Sequence, residues 1–158
     1  DIHGEDHRPE SHLIPLVLQT IRGKRDKFML FGDDYDTPDG SCIRDYIHIL
    51  DLAQAHEKAL YAKESGYYNL GTGNGLSVFE IIRAAEEVTG KKPKMEAVTG
   101  KKVNFEIAPR RPGDPPRLIA GSGRARKMLG WKPEFENVSA IIESAWKWQL
   151  ANPDGYAE

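Results

Sequence analysis

The chain has 158 residues, a net charge of −2 and 29% charged residues. That length suits one domain with a real core, and the near-neutral balance excludes a global field that would recruit nucleic acid or an anionic membrane. Any anion binding must then be local. The single cysteine, Cys42, excludes an intrachain disulfide framework and cysteine-based zinc sites and is compatible with a reducing cytosol. No apolar run approaches the roughly 18 residues of a membrane span. The opening "DIHGEDHRPE" lacks the apolar core of a signal peptide, and a start at Asp1 rather than Met points to a processed product or a fragment.

Taken in order, the first predicted helix is "SHLIPLVLQTIRG", which starts at Ser11 or His12, tolerates Pro15 in its first turn and stops at Gly23. The strand candidates "KFMLF" and "IRDYIHI" follow, separated by the Gly/Asp-rich "GDDYDTPDGSC". Asp51 is the candidate N-cap of a helix whose apolar stripe is Leu52, Ala55, Ala59 and Ala62, ended by Gly66. After a further strand candidate, "YYNLG", Ser77 and Glu80 predict a capping box opening "SVFEIIRAAEEVTG". The strand candidates "KMEAV", "VNFEI" and "RLIA", a short helix from Ser122 to Gly130 and a last helix over about Val138 to Leu150 complete the chain. Helices alternating with short strands predict an α/β fold, a small mixed sheet with flanking helices. Trp146 and Trp148 cannot share one helix face, so one of them is expected nearer the surface.

"TGKKPKMEAV" (89–98) is followed at once by "TGKKVNFEIA" (99–108). Two copies do not make a solenoid; a hairpin with the second TGKK as its turn is expected, its lysines a solvated edge.

Three stretches could carry chemistry. Period-two alternation in "IRDYIHI" places Arg44, Tyr46 and His48 on one face, a fixed cation, a phenol and an imidazole, unless that face simply meets water. "APRRPGDPPRL" (108–118) sets two arginines and Asp114 among four prolines, too many for a helix interior or a central strand. It is either a solvated linker or a stiffened loop that offers forked guanidiniums to a phosphate or carboxylate. Arg44 and Arg111 could converge on a diphosphate, while the Asp114 carboxylate suits a sugar diol. "NLGTGNGLS" leads glycines into a helix, but lacks the G-x-G-x-x-G register and is read as a tight turn. The five histidines show no metal-binding spacing, so no metal is expected.

These stretches together resemble the C-terminal part of UDP-glucose 4-epimerases, of the extended short-chain dehydrogenase/reductases. The resemblance runs through "GEDHRPESHLIPLVLQ", "FGDDYDTPDGSCIRDYIHILDLAQAH", "YNLGTGNGLSVFEII", "APRRPGDPPRLIA", "LGWKPEF" and "AWKWQLANPDGY", in family order. It implies that residues 1–158 are the UDP-hexose-binding C-terminal domain without the Rossmann domain. His12 and Leu13 then match nucleotide contacts and Phe31 a residue near uracil. Arg44 and Arg111 match the arginines on the diphosphate, Tyr46 a neighbouring contact, and Asp114 the carboxylate on the ribose. Leu118 matches a position whose bulk influences whether N-acetylated sugars fit. The resemblance places the NAD fingerprint, the Tyr-x-x-x-Lys base and the catalytic Ser or Thr upstream of residue 1. Tyr46 cannot replace that base, because residue 50 is leucine. The implied whole enzyme interconverts UDP-galactose and UDP-glucose in galactose metabolism with NAD, as a cytoplasmic homodimer whose usual interface lies largely outside this chain. NAD is not expected to bind this chain alone, and no catalytic residue is assigned here. The tandem decapeptide and His3 depart from the family pattern. A binding module without catalysis, a split subunit needing a separate Rossmann-domain chain, and a related NAD-dependent dehydratase or decarboxylase remain the alternatives.

Overall fold

A computed structural model of the chain describes residue 4, residues 6–90 and residues 103–156. Five helices lie among them: α1 (Leu13–Ile21), α2 (Ile49–Leu60), α3 (Val78–Gly90), α4 (Gly123–Leu129) and α5 (Val138–Ala151). The strands are β1 (Phe28–Phe31), β2 (Ile43–Asp45), β3 (Gly75–Ser77), β4 (Phe105–Ala108) and β5 (Arg117–Leu118). They form a mixed α/β fold with two small sheets. β1 pairs in parallel with β4, and β2 is central to a second sheet, antiparallel to β3 and parallel to β5. The decapeptide hairpin lies outside the described residues, apart from the β4 strand of its second copy.

The core follows from helical periodicity. Val17, Leu18 and Ile21 of α1 meet Ile81, Ile82 and Ala85 of α3, Ile142 and Trp146 of α5, and Phe28 and Leu30 of β1. Each valine, leucine, isoleucine or phenylalanine among them contributes about 1.5–3 kcal/mol by leaving water. A second, smaller cluster joins α2 to α4 through Ala55, Ala125 and Trp131.

The expected capping box is present. Glu80 Oε2 accepts from the Ser77 amide at 2.7 Å and Ser77 Oγ accepts from the Glu80 amide at 3.1 Å. Ser77 Oγ also donates to Asp39 Oδ2 at 2.5 Å, while Asp39 Oδ1 accepts from the Ser41 amide and hydroxyl. The loop before β2 is thereby fastened to the start of α3. Burial raises the Asp39 pKa, but these hydrogen bonds and Arg83 outweigh it and hold the carboxyl below its ordinary range.

Several expectations are corrected. "IRDYIHI" is a strand only as far as Asp45, and His48 is the N-cap of α2, its Nδ1 accepting from the Leu50 amide at 3.1 Å. Asp51 is therefore not the cap. It sits in the first turn of α2, 2% exposed, and its carboxylate accepts from the amides of Glu134 at 2.8 Å and Phe135 at 3.1 Å. An acid there also complements the helix dipole. "YYNLG" forms no strand, while residues 75–77, expected only as turn and cap, pair with β2. Trp146 and Trp148 are both buried, because the segment at Gly4 and Tyr156 covers α5 on a second side.

Candidate functional site

The two sheets converge through the proline-rich loop. β4 runs beside β1 with Ala108 opposite Phe31, and β5 runs beside β2 with Leu118 opposite Arg44. Residues 109–116 must therefore cross from the end of one sheet to the other. The crossing turns at Pro112-Gly113, where the Asp114 amide donates to the Arg111 carbonyl at 3.1 Å and Gly113 has φ +79°. Pro at the second position and a left-handed Gly at the third are the signature of a type II turn. The turn brings Arg111 and Asp114 close together.

Both residues line a cleft of about 520 Å³. Arg111 lays its guanidinium over the Phe31 ring, 4.0 Å from the centroid. Asp114 accepts from Arg44 at 2.5 Å, and the two side chains are 24% and 21% exposed. Arg44 also donates to the Ile43 carbonyl at 2.7 Å, which fixes the direction of its fork. Tyr46 forms part of the wall, its hydroxyl pKa pushed up by burial. His12 and Leu13, at the start of α1, also line it, as do Met29 and Cys42. Burial likewise raises the Cys42 thiol, with Arg44 opposing. Two guanidiniums, Arg44 and Arg111, and two carboxylates, Asp114 and Asp45, line the cleft. The Asp45 carboxylate is taken up by Thr72, Gly73 and Ala120, so the guanidiniums remain as donors that suit an anion with an apolar or aromatic portion.

Seven of the eight residues singled out from the sequence thus line one cleft: His12, Leu13, Phe31, Arg44, Tyr46, Arg111 and Asp114. Leu118 is not among the lining residues and is 61% exposed on β5. Arg110 also turns away, donating from Nε to Asp34 at 2.6 Å and covering Tyr35. His48 leaves the row expected with Arg44 and Tyr46. It stacks on Phe135 at 3.9 Å and its Nε2 lies 2.7 Å from Ser144 Oγ, in a second groove of about 600 Å³ that holds none of the eight.

Asp45 is the contributor that the sequence reading passed over. Its carboxylate accepts from the Thr72 amide and hydroxyl at 3.0 and 2.7 Å, from the Gly73 amide at 2.9 Å and from the Ala120 amide at 3.3 Å. The glycine-rich loop therefore gives to an internal carboxylate the amides that a phosphate would need. Only the alternation of "IRD" hinted at this, by placing Asp45 on the face opposite Arg44.

Small mixed sheets and flanking helices thus surround a cleft that offers two guanidiniums. A family model described as GDP-mannose 4,6 dehydratase matches residues 3–143, and the chain belongs to that family. Within it, the chain matches the C-terminal part of UDP-glucose 4-epimerases. It is 49% identical to the UDP-glucose 4-epimerase of Halalkalibacterium halodurans over 158 residues, which covers 98% of this chain and 44% of that relative. Identity to the enzyme of Streptococcus mutans is also 49%, over 97% of this chain and 44% of the relative. A crystal structure of a UDP-glucose 4-epimerase superposes with a TM-score of 0.86 at 53% identity, covering 98% of this chain and 45% of that one. The Bifidobacterium longum epimerase, solved in complex with NAD+ and UDP, gives 0.78 at 38% identity over 92% of this chain and 41% of that one. The chain thus spans less than half the length of the relatives it matches. Among the described residues, no helix is long and apolar enough to cross a membrane.

Proposed function

We propose that residues 1–158 form the UDP-hexose-binding C-terminal domain of a UDP-glucose 4-epimerase, an NAD-dependent isomerase interconverting UDP-galactose and UDP-glucose. The observation that carries this reading is the Pro112-Gly113 turn, which sets Arg111 and Asp114 beside Arg44 across one cleft. Phe31, already covered by a guanidinium, offers a flat apolar wall to the uracil, beside His12 and Leu13. Arg44 and Arg111 address the diphosphate, with Tyr46 alongside, and Asp114 accepts from the ribose hydroxyls. Leu118 lies outside the cleft of this chain, and its assignment to the sugar rests on the family resemblance.

The Arg44–Asp114 pair makes binding an exchange. A diphosphate takes the place of the carboxylate on Arg44, and Asp114 is released to the ribose. The half-buried guanidinium keeps an anionic partner throughout, so its desolvation cost is not left unmatched.

NAD does not fit the glycine-rich loop of this chain, because the Thr72 and Gly73 amides are committed to Asp45. We assign the hydride chemistry to no residue here; it belongs to a nucleotide-binding domain in the same protein or on a partner chain, and the chain alone is expected to show no turnover. That domain would cover exposed apolar residues such as Leu60, the last of α2, and Tyr61, its C-cap. The cytoplasm is the compartment that suits the free Cys42 thiol.

Calorimetry with UDP tests the reading. Binding should weaken at least tenfold in Arg111→Ala, because a charge-assisted hydrogen bond is worth about 1.5–3 kcal/mol. Equal affinity in the two proteins would overturn it.

A further inference from the structure

At the outer edge of α1, three side chains converge that the nucleotide reading does not use together. His7, Glu10 and His12 each offer a ligand atom, all within 4.8 Å of one another. We propose that they form a binding site for a divalent transition-metal ion of the zinc class. Two imidazoles and one carboxylate are the donor set that such ions prefer, and three protein ligands leave a position open for water.

The carboxylate is set in advance. Glu10 Oε1 accepts from the amides of Ser11 and His12, both at 2.8 Å, and its side chain is only 8% exposed. Hydrogen bonds of this kind orient ligands in metal sites. The same oxygen stands 3.0 Å from His12 Nδ1 and 3.9 Å from His7 Nδ1, and the two rings lie 5.0 Å apart between centroids. Ligand atoms about 2.0–2.1 Å from a tetrahedral ion stand about 3.3 Å apart. His12 and Glu10 already meet that spacing to within about 0.3 Å. His7, on a 48% exposed side chain, stands about 0.6 Å beyond that spacing from Glu10, with its ligand atom within 4.8 Å of that of His12, so binding requires its side chain to close in on both.

Spacing in the sequence does not announce this site. His-x-x-Glu-x-His matches no helical or finger-type ligand pattern, and the ligands meet across the bend at Arg8 and Pro9 ahead of α1. The site is distinct in composition from the cleft, sharing only His12 with it.

The test is calorimetric titration of the metal-stripped chain with zinc chloride, repeated on His7→Ala and Glu10→Gln, with circular dichroism to check folding. His7 is the decisive position, because it lies outside the cleft and its Nδ1, 3.9 Å from Glu10 Oε1, is beyond hydrogen-bond distance of that carboxylate, which the Ser11 and His12 amides hold. The expected result is one zinc ion per chain, bound at least tenfold more weakly when His7 is removed. Cobalt(II) should give the visible absorption of a low-coordinate nitrogen/oxygen site in the parent chain, lost in folded His7→Ala. Should Glu10→Gln disturb the loop, His7→Ala alone decides. No zinc binding by the parent chain, or equal binding by parent and His7→Ala, would overturn the proposal.

Discussion

Replacing Asp51 by alanine should be among the most damaging single changes in the chain. Its carboxylate is buried in the first turn of α2 and accepts from the Glu134 and Phe135 amides, while its carbonyl receives the Trp131 indole N–H at 2.9 Å. The acid therefore ties the segment before α5 to the helix whose residues Ile49 and Leu52 line the cleft. Hydrogen bonds to a charged acceptor contribute about 1.5–3 kcal/mol each, and alanine leaves both amides without their acceptor. Removing the carboxylate's own desolvation cost offsets part of this, so a loss of about 2–5 kcal/mol is expected. In a domain of this size each kcal/mol moves the Tm by about 2–4 °C, which makes the shift on the order of 4–20 °C. Asp51→Asn keeps one acceptor oxygen and should lose less. Urea unfolding followed by tryptophan fluorescence reads the change directly, since Trp131 adjoins the site. A loss below about 0.5 kcal/mol, the range of ordinary surface substitutions, would refute the assignment of Asp51 as the tie.

Two further outcomes follow from the capping groups. Ser77→Ala removes both the acceptor for the Glu80 amide and the donor to Asp39, and should cost about 1–3 kcal/mol in denaturant unfolding; Glu80→Gln preserves the box and should cost under about 0.5 kcal/mol. Stability should also fall in acid through His48. Burial lowers its pKa below the ordinary histidine value, Asp51 opposing in part, so the unfolded chain binds the proton first. The stabilisation is complete above about pH 6.5 and is lost as pH falls toward the depressed native value. Protonation at Nδ1 would also abolish the cap on Leu50. Urea midpoints at pH 7.5 and 5.5 check this: the difference should shrink in His48→Asn, which keeps a capping acceptor, and an unchanged difference would exclude His48 as the source.

What could be read from residues alone followed local chemistry. Ser77 and Glu80 announced a helix start because a capping box is complete within four residues. The prolines of "APRRPGDPPRL" excluded a helix interior or central strand for the same reason, and the turn the structure shows there, at Pro112-Gly113, delivers Arg111 and Asp114 to one place. What the sequence did not disclose was how long each pattern runs. "IRDYIHI" alternates through His48, yet β2 stops at Asp45 because the His48 imidazole caps the next helix and Asp51 is drawn inward by the Glu134 and Phe135 amides. Those partners lie more than 80 residues away, beyond the reach of any periodicity. The Asp45 carboxylate was hidden for a similar reason, since its acceptor role depends on the return of residues 72–73 and 120. Nor could spacing show that Arg44 and Asp114, expected to serve different parts of one ligand, pair with each other.

The most direct test of the account compares UDP with uridine on the unmodified chain by calorimetry. If the Arg44 and Arg111 guanidiniums form a diphosphate site, UDP binds at least tenfold more tightly than uridine, and the gap narrows as salt is added. Equal affinities for the two, at low and high salt alike, would contradict a diphosphate site in this cleft.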